Sequence, residues 1–142
     1  MKKLKLDWGV QEYKLGNGVL RFNPSDPNLY ARFLEAAQQL PELEKQLVAD
    51  AKNQEGNTDG LMTLLSKADT QMKQLLNGVF RGNDFDALLE GVNLLAVAGN
   101  GERVVTNLLQ TLEPILRQGA EEFAQAQTDA AVAKARQRRD GV

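Results

Sequence analysis

Few residues in this chain of 142 can carry reaction chemistry, because it contains neither cysteine nor histidine. Without cysteine there is no thiolate nucleophile, no disulfide and no zinc–thiolate site. Without histidine, the usual general base near neutral pH and the commonest metal ligand are both missing. A catalytic centre would have to be assembled from Asp, Glu, Lys, Ser, Thr or Tyr. Glu12, Glu35, Glu90 and Glu113 fall on different predicted elements, with no lysine or turn-borne nucleophile beside them. No triad or paired-carboxylate pattern can be built from them, so the chain reads as a non-enzyme with no catalytic residue, no cofactor and no metal.

Three clusters still need an account. VAGNGERV (97–104) has the glycines of a dinucleotide loop at Gly99 and Gly101, but Val104 stands at the third glycine position. The motif needs a strand before it and a helix after it within a βαβ unit, and the Leu88–Leu95 run reads as helix, so a turn between helices is the better reading. Asn83, Asp84, Asp86 and Glu90 offer oxygen donors, but not at the alternating spacing, with central glycine and distal glutamate, of a calcium loop. Acidic groups in a first helical turn are favoured by the helix dipole, which makes capping the stronger explanation. Lys134, Arg136, Arg138 and Arg139 form a basic end partly offset by Asp140. Cations at a helix C-terminus are also dipole-favoured, and the overall charge of −2 argues against a general nucleic-acid binder.

The elements that position these groups follow from periodicity. At 42% hydrophobic and 25% charged residues, the composition is that of a globular domain with a real core. With one Trp, two Tyr and five Phe, that core must be mainly Leu, Val and Ala. No stretch reaches the roughly 18 apolar residues that span a bilayer. MKKLKLDWG has the lysines of a signal peptide without its apolar region, so a cytoplasmic protein is expected.

QEYKLGNGVLRFN (11–23) reads as a β-hairpin with two admissible registers. A turn at Asn17-Gly18 sets Leu15 opposite Leu20 and Tyr13 opposite Phe22. A turn at Gly16-Asn17 pairs Glu12 with Arg21 and keeps the same apolar face. Leu4, Leu6 and Trp8 alternate with polar residues, the pattern of a preceding strand. The first helix starts near Pro27, with Ser25 or Asp26 as cap, and Pro41 is expected to end or kink it. PELEKQLVADAKNQ then resumes a helical pattern, and EGNTDG (55–60) is an open connector. A third helix spans about Thr58 to Leu76, with Asn77-Gly78 as its stop. A short helix, capped by Asn83, runs from Asp84 to about Leu95 with Val92 inward.

The last helix begins near Glu102 and carries Val104, Val105, Leu108, Leu109, Leu112, Ile115, Leu116 and Phe123. From Ala124 onward helix propensity stays high but large apolar residues vanish. One helix over 102–138 would be about 55 Å long at ~1.5 Å per residue; it must bend, with Pro114 the obvious place, project, or lie on a partner. The expected fold is mainly α (α+β): an N-terminal β-hairpin packed on a bundle of about four to five helices with a long C-terminal helix. Residues 1–125 form one domain, and 126–142 are an Ala/Arg-rich extension.

Two segments resemble a known family. The hairpin closes on Phe22, Asn23, Pro24, Ser25, Asp26 and Pro27, and a later helix reads LLQTLEPILRQGAEEF (108–123). With the Val79-Phe80 pair and the glycine turn between them, this layout resembles the tail assembly chaperones and related small tail-module proteins of long-tailed bacteriophages, over roughly residues 9–125. Members often have Phe-Gly-acidic-Gly after the third helix, where this chain has Phe80, Arg81, Gly82 and Asn83. The resemblance implies a non-catalytic protein of the infected or lysogenic bacterium, in the host cytoplasm. It also implies binding to the helical tape measure protein during tail assembly, and self-association. A structural component retained in the virion, and a nucleic-acid-binding regulator using the basic C-terminus, are the alternatives. The expected partner surface is the alanine-rich C-terminal helix, at Ala130, Ala133, Arg136 and Arg138, with the hairpin edge as the other candidate.

Overall fold

A computed structural model describes residues 1–140. Two antiparallel strands, β1 (Gln11–Leu15) and β2 (Gly18–Phe22), precede four helices: α1 (Pro27–Lys52), α2 (Thr58–Val79), α3 (Phe85–Leu88) and α4 (Val104–Asp140). The expected mainly helical fold with an N-terminal hairpin and a long last helix is present.

The hairpin adopts the second register, with Glu12 opposite Arg21 and Leu15 opposite Gly18, so the turn is Gly16-Asn17. Gly16 takes a positive φ of 58°. The glycine at 18 lies against α3 instead: a Cβ there would stand 2.7 Å from Leu88 Cδ2, which would have to shift. Leu20 and Phe22 are buried beneath the sheet, and Val19 and Arg21 on the other face are exposed. Phe22 stacks on Tyr13 with ring centroids 4.6 Å apart and meets Phe80 edge-on at 5.2 Å, and Phe80 in turn touches Phe85. This relay ties the hairpin to the end of α2 and the start of α3.

No strand precedes β1. Residues 1–10 form an extended arm outside regular structure, with Leu4, Leu6 and Trp8 exposed. The outer edge of β2 is occupied by Asn83, whose side chain both accepts the Arg21 N–H (2.9 Å) and donates to the Arg21 carbonyl (2.8 Å). The arm passes Asn23 instead, which donates to the Trp8 carbonyl at 2.8 Å.

Of the two proposed caps for α1, Asp26 is the one used, accepting the Asn28 N–H at 2.9 Å. Pro41 neither ends nor breaks the helix, and Pro114 lies within one continuous α4. A proline removes the bond to the carbonyl four residues back. Ala37 and Gln110, which supply those carbonyls, are exposed, so water can take the place of the missing donor. Asn77-Gly78 does not stop α2, which runs on to Val79. Asn77 instead accepts the Phe85 N–H, and Arg32 donates to the Val79 carbonyl at the helix end. The helix expected from Asp84 to Leu95 is a single turn capped by Asp84, not Asn83. Glu90 (φ 54°) and Gly91 (φ 76°) break it, and Val92 points outward.

The core lies where α1, α2 and the first half of α4 meet under the hairpin. Phe33, Leu40, Met72, Leu76, Leu108, Leu112 and Leu116 are all buried there, with Leu94 from the connecting loop. Each buried leucine contributes about 2 kcal/mol relative to exposure. One contact has no side chain on one partner: a Cβ at Gly119 would collide with the backbone carbonyl of Pro24. Gly78 on α2, by contrast, faces open space.

Alanine at these two helical glycines should therefore act with opposite sign. Gly78→Ala is expected to stabilise by about 1 kcal/mol through helix propensity, while Gly119→Ala loses about 2–3 kcal/mol to overpacking. Urea denaturation of both variants checks this; a stabilised Gly119→Ala would refute the close approach of α4 to Pro24.

Candidate interaction surfaces

The clusters singled out for chemistry are dispersed by the fold. Asn83 serves β2, Asp84 caps α3, Asp86 pairs with Lys73, and Glu90 accepts a bond from Asn17 in the hairpin turn. Among the described residues, no group of three or more carboxylates could hold a metal ion. Glu12 pairs with Arg21 and Glu113 with Arg117 on separate, water-exposed faces. The VAGNG segment is a tight reversal in which Val97 bridges Arg103 and Gly101 has a φ of 82°. The first amides of α4 are already used: Val104 donates to the Ala96 carbonyl and Val105 to that of Leu94. These bonds remove the free N–H groups that a phosphate would need at a helix start.

The one buried charged residue among those described is Lys73, which periodicity alone assigns no role. Its ammonium lies 2.8 Å from Asp69 Oδ2 and 2.6 Å from Asp86 Oδ1. Asp69 also accepts the Leu94 N–H at 2.7 Å, so the cluster fastens the irregular 84–95 segment to α2. Burial by itself lowers the Lys73 pKa, but the bonds to Asp69 and Asp86 and their charges outweigh it and hold the group above its ordinary 10.5. A lysine held protonated in this way is no nucleophile or base at neutral pH. The cluster is structural.

What remains are surfaces. The first is the arm, where Leu4 is 94%, Leu6 69% and Trp8 71% exposed. The second is the outer edge of β1, where the backbone groups of Glu12 and Lys14 point away from β2 and no other described residue bonds to them. A hollow of about 320 Å³ lies beside it, lined by Gln11, Tyr13, Pro24, Ile115, Gln118 and Glu122. The third is an open groove of about 760 Å³ between α1 and α2, where Gln39, Gln46, Gln71 and Gln74 flank Leu43 and Leu75. It offers amides and apolar contact, with Glu42 its one charge.

The fourth is the end of α4. Every residue from Glu121 to Asp140 is exposed, including Ala130, Ala133, Arg136 and Arg138. These four candidates lie along one projecting stretch of about 30 Å, at ~1.5 Å per residue. None of the four touches the domain core, and neither arginine makes an ion pair with another described residue. Among the described residues, no helix is long and apolar enough to cross a membrane.

No family model matches this chain, and no curated protein or solved structure does either. A functional reading therefore rests on these surfaces and on the two segments that carry the resemblance.

The Lys73 cluster makes a clear stability prediction. Lys73→Met leaves the largely covered Asp69 beside an apolar chain without its cation and should cost about 3 kcal/mol, read as a lower urea midpoint. The pH dependence also has a definite sign. Because the folded state favours the ammonium, its contribution is full below 10.5 and fades only as pH rises through the higher folded value. The stability gap between wild type and Lys73→Met should be constant from pH 6 to 9 and narrow only above about 10.5.

Proposed function

We infer that this chain is a non-catalytic tail assembly chaperone of a long-tailed phage or prophage, binding the tape measure protein while the tail is built. The observation that carries the reading is that the two resembling segments pack on one another. The Phe22–Pro27 element forms a solid corner whose Pro24 carbonyl rests on Gly119, inside LLQTLEPILRQGAEEF. Both resembling segments are thus parts of one structural unit, as a family marker without catalytic residues would be.

The surfaces support the same reading. A client that is a long amphipathic helix needs apolar and amide contact over a long path, without a deep pocket. The α1–α2 groove and the free length of α4 offer that path. Self-association belongs to the reading, as does action in the cytoplasm of the bacterial host.

Co-expression with the cognate tape measure protein tests the proposal. The full chain should raise the soluble yield of the tape measure and co-purify with it, and removing residues 124–142 should weaken both at least tenfold. No gain in solubility and no co-purification would overturn it. Mass spectrometry of purified virions separates the alternative of a retained tail component, which predicts many copies per particle where a chaperone predicts none. The exposed Lys134, Arg136, Arg138 and Arg139 would favour a nucleic-acid regulator only if the chain bound DNA with a steep salt dependence abolished by the same truncation.

A further inference from the structure

We propose that the arm at residues 4–8 adds as a parallel strand to the β1 edge of a second copy of this chain. This locates the self-association contained in the reading above and rests on that part of it; tape measure binding is independent of it.

Donor and acceptor are both present in one chain. The arm is extended, alternates apolar and charged residues, and leaves Leu4, Leu6 and Trp8 uncovered. The acceptor is the free outer edge of β1, an unpaired strand edge of the kind that takes an extra strand. Side-chain parity then limits the register. The odd residues of β1 face the core, so Leu4, Leu6 and Trp8 reach that face only by pairing opposite Gln11, Tyr13 and Leu15. In the parallel register that does this, Lys5 stands opposite Glu12 and Asp7 opposite Lys14, both on the solvent face. The one antiparallel register that also sets all three apolar arm residues opposite Gln11, Tyr13 and Leu15 puts like charges together, Lys5 opposite Lys14 and Asp7 opposite Glu12. Opposite charges across a pair are favourable and like charges are not.

The space beneath agrees. Leu6 opposite Tyr13 and Leu4 opposite Gln11 would come to lie over the hollow of about 320 Å³ between β1 and α4. The backbone bonds also fit what is already committed. Lys14 would take the Leu6 carbonyl and the Trp8 N–H, leaving the Trp8 carbonyl on Asn23.

A second copy is the occupant for two reasons. The arm joins β1 through Gly9 and Val10, so it cannot lie parallel to the strand it leads into. The charges are also complementary between copies. The arm carries Lys2, Lys3 and Lys5 against Asp7, a net +2, and since the whole chain is −2 the remainder is −4.

Exchange of the paired charges tests this on the full chain, by light scattering coupled to size exclusion across protein concentration. Wild type should associate, and the arm variant Lys5→Glu/Asp7→Lys and the edge variant Glu12→Lys/Lys14→Glu should each lose at least tenfold in association constant. Mixed together, the two variants should associate to within about threefold of wild type, because each arm then meets a matching edge. The arm variant changes no core contact, and deletion of residues 1–7 should reproduce its loss, so the test does not depend on the edge variant folding. Association untouched by the arm variant or the deletion would overturn the proposal and leave self-association standing. A wild type that stays monomeric would overturn both, whereas tape measure co-purification is scored separately. Loss of that co-purification without loss of self-association would assign the edge to the tape measure and also overturn the proposal.

Discussion

The carbonyl of Pro24 resting on the bare backbone of Gly119 sets the geometry of the rest of the molecule. A strand must become a helix between Phe22 and Pro27, and the turn that does this is a corner that presents the backbone carbonyl of Pro24 directly to α4. Only a residue without a Cβ lets a helix approach such a corner closely. Once α4 is fixed at 119, its preceding turns supply Leu108, Leu112 and Leu116 to the core. Its following turns have nothing left to cover, and Glu121 to Asp140 run into solvent. The projecting end is thus a direct consequence of where the corner crosses the helix.

The second constraint is polar. From Phe80 to Arg103 the chain has little regular structure, yet it closes one end of the core with Phe85 and Leu94 fully buried. Irregular backbone in such a place needs partners for its amides and carbonyls. Side chains provide them: Asn77 for Phe85, Asp69 for Leu94, and Asn83 for the Phe80 carbonyl. Lys73 neutralises Asp69 and draws in Asp86, so the charge needed to hold the loop is itself balanced. No buried side-chain polar atom among the described residues lacks a partner.

These two constraints explain what could be read from the residues alone. The hairpin, a cap immediately before Pro27, the long helices and the loss of apolar residues after Ala124 follow from local pattern and were legible, whereas the choice of Asp26 over Ser25 was not. Nor was the register, because Gly16 and Gly18 both suit a turn, and what Gly18 lies against is Leu88, distant in sequence. Proline at 41 and Asn-Gly at 77–78 are strong local stop signals. Both were overridden because tertiary packing continues on the buried face of each helix. Lys73 resembles any other helical lysine until Asp86 is folded over it. The candidate surface on α4 was foreseeable as a loss of apolar residues, whereas the open β1 edge depends on which side of the hairpin Asn83 covers.

The exposed arm has an optical consequence. Trp8 is the only tryptophan in the chain and keeps 71% of its surface in water in the folded state. In the single chain its emission should already be red-shifted before any unfolding, so denaturation of the monomer will pass almost unseen in tryptophan fluorescence and must be followed by circular dichroism. The same indole becomes a private reporter, silent about the core and responsive to whatever comes to lie against the first ten residues.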